Sequence, residues 1–209
     1  MPATFRPSML KLTLAILLAT LAAPCAALAA SEGAPDGWQT VGPREEIRPE
    51  FSYQPNGGPD GKGGFVIRCD AREGLVGWWT KSFPVQGGRS YRFSAVRRCE
   101  NVPNPRRMVL ARVIWQDAKG QPAMRDEAEA VTLAPGKAPT STPEYPLDRS
   151  TDEHGWTEVS DTYRAPAKAA TAVVELCLRW AAPHGKVEWG QVSFGESPPL
   201  PPRPVRLAT

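Results

Sequence analysis

The chain is poor in the groups that carry enzyme chemistry. It has only two histidines, His154 and His184, each followed by a glycine in a stretch that reads as a turn. Neither stands in a Cys/His cluster with metal-ligand spacing. No Gly-x-Ser-x-Gly elbow occurs, and Cys99 and Cys177 fall inside alternating runs that read as strands. Carboxylates are plentiful, but the separation that makes a glycosidase pair is not written in a sequence. No catalytic constellation emerges.

Long apolar runs are also missing, with one exception. Arg6 and Lys11 precede the run Leu12 to Ala23, and Ala27-Leu28-Ala29 supplies small residues for a signal peptidase. Residues 1–29 are therefore expected to be a signal peptide, its apolar part too short for a lasting membrane span. Cys25 invites a lipoprotein reading, but Pro24 and Ala22 depart from that motif, so ordinary export to a secreted or periplasmic location is expected. Taking Arg6 and Lys11 from the 25 basic residues leaves a charge within about one unit of balancing the 22 acidic ones. That gives no electrostatic case for nucleic acid, or for a membrane after cleavage.

Cysteine is sparse too. Cys69, Cys99 and Cys177 survive cleavage, an odd number that permits no complete disulfide framework. One disulfide plus one buried thiol, or none at all, both remain open. Cys69 shares a face with Phe65 and Ile67, which favours a packed thiol.

What the chain does have is 23 prolines and 18 glycines set between short apolar runs. Residues 30–196, roughly 165 of them, suffice for one domain with one core. Runs of period two read as strands at Glu45–Tyr53 (an edge strand, because of Pro49), Phe65–Ala71, Gly77–Val85, Ser90–Cys99, Met108–Gln116, Val159–Arg164, Thr171–Trp180 and Val187–Phe194. Asn56 to Gly64 reads as a mobile surface turn, since no Lys-Ser/Thr or helix follows to make it a phosphate loop. Residues 125–149 read as a loop with a weak strand at Ala130 to Leu133. The class is all-β, an antiparallel β-sandwich.

Two stretches carry a resemblance. One is Phe83-Pro-Val-Gln-Gly-Gly-Arg-Ser-Tyr-Arg-Phe-Ser-Ala95; the other runs from Gly155-Trp through an Ala-Pro-Ala turn and a long alternating strand to Gly185-Lys-Val-Glu-Trp and Val192-Ser-Phe. Together they resemble the galactose-binding-like jelly roll shared by many carbohydrate-binding modules. The resemblance implies a jelly-roll fold, a glycan as partner, and room for a structural Ca²⁺, for which Asp60, Asp70 and Glu188 are suitable in type. No Asp-rich loop with Ca²⁺ spacing is present, so no metal is assigned.

Alternation places Val174, Leu176, Leu178 and Trp180 in the core with Tyr91, Phe93, Ala111, Val113 and Trp115. Glu175 and Arg179, with Ser94, Arg98, Arg112 and Gln116, are expected to point off the sheet together. Such a surface suits a polyhydroxylated ligand and equally a solvated face. Trp78 and Trp79 must point to opposite faces, so one of them lies in the core and the other is a candidate platform for a sugar ring. The candidate ligand-binding residues are thus Trp78, Trp79, Arg98, Arg112, Gln116, Glu175 and Arg179.

Residues 197–209 read as a proline-rich linker, Ser197-Pro-Pro-Leu-Pro-Pro-Arg-Pro204, leading into Val205-Arg-Leu-Ala-Thr209. That last segment resembles the first strand of the carbon–nitrogen hydrolase (nitrilase) superfamily, whose catalytic Glu, Lys and Cys lie further downstream and match no position here. The expected function is a non-catalytic accessory or binding domain in front of such a hydrolase, docking a glycan or the adjoining C-terminal domain. The alternatives are a free-standing secreted carbohydrate-binding protein and a purely structural domain.

Overall fold

Period-two alternation builds two antiparallel sheets that close on each other. The computed structural model describes residues 28–29, 33–35, 37–126, 139–199 and 201. Most of the expected leader, Cys25 within it, the weak strand at Ala130 to Leu133 and the Val205 to Thr209 segment lie outside the described residues.

The strands are β1 (Leu28–Ala29), β2 (Gln39–Val41), β3 (Glu50–Gln54), β4 (Gly64–Arg68), β5 (Leu75–Pro84), β6 (Ser90–Glu100), β7 (Val109–Gln116), β8 (Leu147–Thr151), β9 (Thr157–Arg164), β10 (Thr171–Ala181) and β11 (Lys186–Glu196). A single-turn helix, α1 (Pro105–Met108), precedes β7. One sheet has the order β1-β2-β5-β10-β7 and the other β3-β4-β11-β6-β9-β8. This is the expected antiparallel sandwich.

Strand β7 alternates buried and half-buried residues along its whole length. Its buried set, Val109, Ala111, Val113 and Trp115, meets Val174, Leu176 and Leu178 of β10 in the register Val113↔Val174 and Ala111↔Leu176. Trp79, Trp115 and Trp189 are all within 1% of full burial, with Phe93 and Ile67 among them. At about 25 cal/mol per Å² of apolar surface, these large side chains supply much of the drive for closing one sheet on the other.

Four expectations need correcting. Trp180 is not in the core: it is 65% exposed, with a left-handed backbone at φ 54°. Leu178 opposes Gly77 and Ala181 opposes Leu75, so Arg179 and Trp180 share the place opposite Val76, and Ala181 takes the inward position instead. A bulge of this kind turns every later side chain over. Secondly, Glu45–Ile47 is a single 3₁₀ turn, and strand pairing begins only past Pro49, on the sheet edge as expected. Thirdly, the end of the loop expected over 125–149 belongs to β8, whose mostly exposed residues carry no alternation to betray it.

Fourthly, the glycine stretch is a packed cover rather than a free turn. Gly58 N–H donates to Glu188 Oε1 at 2.8 Å and Gly63 N–H to the Gly57 carbonyl at 3.0 Å. A Cβ on Gly64 would meet Glu188 Oε1 at 2.7 Å, and one on Gly190 would meet Pro59 Cδ at 2.9 Å. Glycine is needed there because the loop lies against the sheet.

Cys69, Cys99 and Cys177 are all free. Burial pushes the Cys69 thiol up to about 11 and the Cys177 thiol up to about 12. Because the thiolate is the reactive species, a disulfide reagent at pH 8 should leave both untouched in the folded protein and titrate them once denaturant is added. Rapid reaction of either in native buffer would contradict this packing.

Candidate functional site

The two outer faces of the sandwich carry the same kind of trio, a tryptophan, an arginine and a glutamate, drawn from different strands. On the six-stranded sheet these are Trp156, Arg98 and Glu188. The Arg98 guanidinium sits 4.7 Å from the Trp156 ring centre and 3.1 Å from Glu188 Oε2. The glycine cover donates to the other Glu188 oxygen, and Glu188 and Trp156 are both buried. Both Glu188 oxygens are thus met from within the protein, while the buried Arg98 Nε has no hydrogen-bond partner.

On the five-stranded sheet, β5, β10 and β7 lie side by side. Their register sets Trp78 beside Cys177 and Leu110, and Thr80 beside Glu175 and Arg112. Directly opposed residues share a face. Glu175, 7% exposed, accepts a hydrogen bond from Arg112 Nε, and the Trp78 indole acts on it from beside that pair. The Arg112 guanidinium in turn lies 5.3 Å from the Trp78 ring centre. Burial raises the Glu175 pKa above the ordinary carboxylate range, against the opposing charges of Arg112 and Arg179. A carboxylate and a guanidinium are thus held in fixed orientation on the outside of a sheet.

One further residue joins this face. Val113 and Glu144 exchange both backbone hydrogen bonds, at 2.9 and 2.8 Å. Continuing that antiparallel register sets Tyr145 opposite Arg112. Tyr145 is 48% exposed. Sequence reasoning misses it because Thr142-Pro-Glu-Tyr-Pro146 has no period; a lone aromatic between prolines is the only signal.

Of the seven residues named from the sequence, the structure brings Trp78, Arg112, Gln116, Glu175 and Arg179 to this outer face. Gln116 stands beside Thr171 at one end, and Arg179 acts electrostatically on Glu175 from the other. Two are corrected. Trp79 is a core residue with no exposed surface, its indole N–H donating to the Val66 carbonyl at 3.2 Å. Arg98, with Ser94, belongs to the other sheet and points away from the opposite side of the sandwich. Trp78 is half-buried with a guanidinium over its ring, so it backs Arg112 and leaves Tyr145 as the exposed ring.

No protein-family model matches the sequence, and no curated protein is similar to it. Solved structures are similar in fold. One is the enzymatically active domain of bacteriophage CBA120 tailspike protein 4, at 13% identity over 78% of this chain and 20% of that one, with a TM-score of 0.51. Another is the CBM22-1-GH10 modules of the Clostridium thermocellum endo-1,4-beta-D-xylanase 10B complexed with xylohexaose, at 14% identity over 78% of this chain and 26% of that one, with a TM-score of 0.50. The chain therefore spans about a fifth and a quarter of these two. At such identity the likeness is one of fold, and function must be argued from the site.

As for cofactors, Asp70 pairs with Arg72 at 2.7 Å and Glu188 with Arg98 at 3.1 Å, while Asp60 Oδ1 accepts from the Lys62 N–H. Among the described residues no group of three or more His, Cys, Asp or Glu is placed to hold a metal ion. His154 and His184 are both in turns. No helix among the described residues is long and apolar enough to cross a membrane.

Proposed function

We propose that the chain is a glycan-binding accessory module of an exported protein, carried in front of a carbon–nitrogen hydrolase domain. The observation that carries the glycan reading is the Trp78–Arg112–Glu175 group. It desolvates a carboxylate and a guanidinium on the outside of a sandwich, beside an exposed tyrosine, where a solvated sheet face would leave such charges in water. Fixed donors and acceptors next to an aromatic ring suit sugar hydroxyls and the apolar C–H face of a pyranose. The xylanase modules of similar fold were solved with xylohexaose, which makes xylan the first polymer to try. Both similar chains are several times longer than the matched part, in keeping with an accessory role.

Affinity electrophoresis of the full chain through gels containing xylan, β-glucan or galactan, followed by calorimetry, tests this. Retardation with Kd of roughly micromolar to millimolar is expected. Trp78→Ala and Glu175→Gln should each weaken it about tenfold or more with an unchanged circular dichroism spectrum. No retardation by any polymer, or indifference to both substitutions, would sink the reading. The hydrolase half is tested by the coding sequence after Thr209. A continuing frame with strand–helix alternation and a downstream Cys supports it, and a stop codon removes it.

A further inference from the structure

A second group of side chains adjoins that face at Tyr145, where the two sheets open along β7 and β8. Two clefts of about 490 and 330 Å³ meet there and share Arg106 and Asp148 as walls. The larger is lined by Tyr145 and Leu147, 48% and 57% exposed and among the four large apolar side chains the described residues leave to water. The smaller is lined by Arg97, Arg106 and Arg149.

The charges in this groove do not balance. Arg97, whose side chain is only 3% exposed, pairs with Asp148 at 2.6 Å, and Arg106 reaches the same carboxylate at 3.6 Å with 78% of its side chain in solvent. One carboxylate thus serves two guanidinium groups. Arg149 is 3.5 Å from Asp161, outside the cleft lining, and 43% exposed. The buried Arg97 Nε has no hydrogen-bond partner. Burying a cation is costly unless its donors are met. Arg149 Nε donates to the Ser160 carbonyl at 3.1 Å, so an incoming oxyanion would meet the forked donors of Arg106 and the terminal N–H groups of Arg149.

We infer that this groove is a second binding site, taking the carboxylate or sulfate of an acidic polysaccharide at Arg106 and Arg149, with the sugar ring seated on Tyr145 and Leu147. Arg97 and Asp148 form its floor and hold Arg106 in place. The inference rests on the glycan-binding reading and shares Tyr145 with it, but its arginines are separate from Trp78, Arg112 and Glu175. A neutral polymer gains nothing from the arginines, so the two sites should separate by ligand charge.

The test is calorimetry of the full chain with polygalacturonate, dextran sulfate, xylan and a single-stranded DNA oligonucleotide. Wild type should bind one or both acidic polysaccharides, with affinity falling as salt rises. Arg106→Ala and Arg106→Ala/Arg149→Ala should weaken that binding by roughly tenfold or more. Arg106→Lys should recover only part of it, and Trp78→Ala should leave it intact. An Arg44→Ala/Arg68→Ala variant removes the same charge elsewhere and should behave as wild type. Preference for polygalacturonate identifies a carboxylate ligand, and preference for dextran sulfate a sulfate. Three results overturn the site: no binding of either acidic polymer, equal loss in the Arg44/Arg68 variant, or DNA bound as tightly with the same dependence on Arg106. Xylan bound and acidic polymers not would remove this groove alone, whereas failure of every polysaccharide would remove the glycan reading with it.

Discussion

Trp79→Ala should cost about 3–5 kcal/mol of stability, while Trp78→Ala, one residue away, should cost far less and weaken glycan binding instead. The difference follows from the faces of β5. Trp79 is fully buried, packs edge-on against Phe51 and Phe65 with ring centres 5.8 and 5.3 Å away, and donates its indole proton to the Val66 carbonyl. Truncation would open an indole-sized cavity between the sheets and leave that carbonyl without its donor. Against a total of about 5–15 kcal/mol for a domain, such a loss lowers Tm by roughly 10 °C or prevents folding. Thermal unfolding by circular dichroism checks it. A Trp79→Ala protein as stable as wild type, or a Trp78→Ala protein that fails to fold, would reverse the assignment of the two faces.

Removing the Arg112 guanidinium should be the second large effect. Arg112→Met leaves Glu175, 7% exposed, without its cation, and breaking a buried pair in this way costs about 3–5 kcal/mol. Because the Arg112 side chain keeps 21% exposure, about 2–4 kcal/mol is the better figure. Exchanging both partners, as Arg112→Met/Glu175→Leu, should recover much of the loss, since no charge is then stranded. Urea unfolding of the two single variants and the double one measures the coupling. The double variant should still bind no glycan, which separates the pair's role in recognition from its effect on folding.

The same pair sets a pH dependence. Burial raises Glu175, so between the ordinary carboxylate range and its raised value the native state keeps a proton that the unfolded chain has released. Stability therefore falls as pH rises through that window and levels off above it. Glu144, raised by burial as well, slopes the same way. Glu175→Gln should flatten the slope in part, leaving the Glu144 share. A profile of urea midpoints that rises with pH across this range would contradict the burial of both groups.

Part of the binding face is legible in the order of residues alone. Period two on β7 and β10 puts Arg112, Gln116 and Glu175 on the side away from Val113 and Leu176, and all three are there. Adjacency of Trp78 and Trp79 requires opposite faces but does not say which is inward. Alternation groups Arg98 with Arg112 because both lie at outward positions, yet their strands belong to different sheets. Trp180 departs from its expected place because a single extra residue opposite Val76 resets the alternation, and no local pattern marks the position. Tyr145 carries no period at all.

Strand identity and the two sides of each strand come from the amino-acid order, since alternation is a property of extended backbone torsions within a few residues. Which strands become neighbours is settled only when Trp79, Trp115 and Trp189 close one sheet on the other. That packing joins β5, β7 and β10, remote in sequence, and so places Trp78, Arg112 and Glu175 within reach of one another. Contacts between distant segments depend on how the whole core fills space, and no short stretch of chain records that.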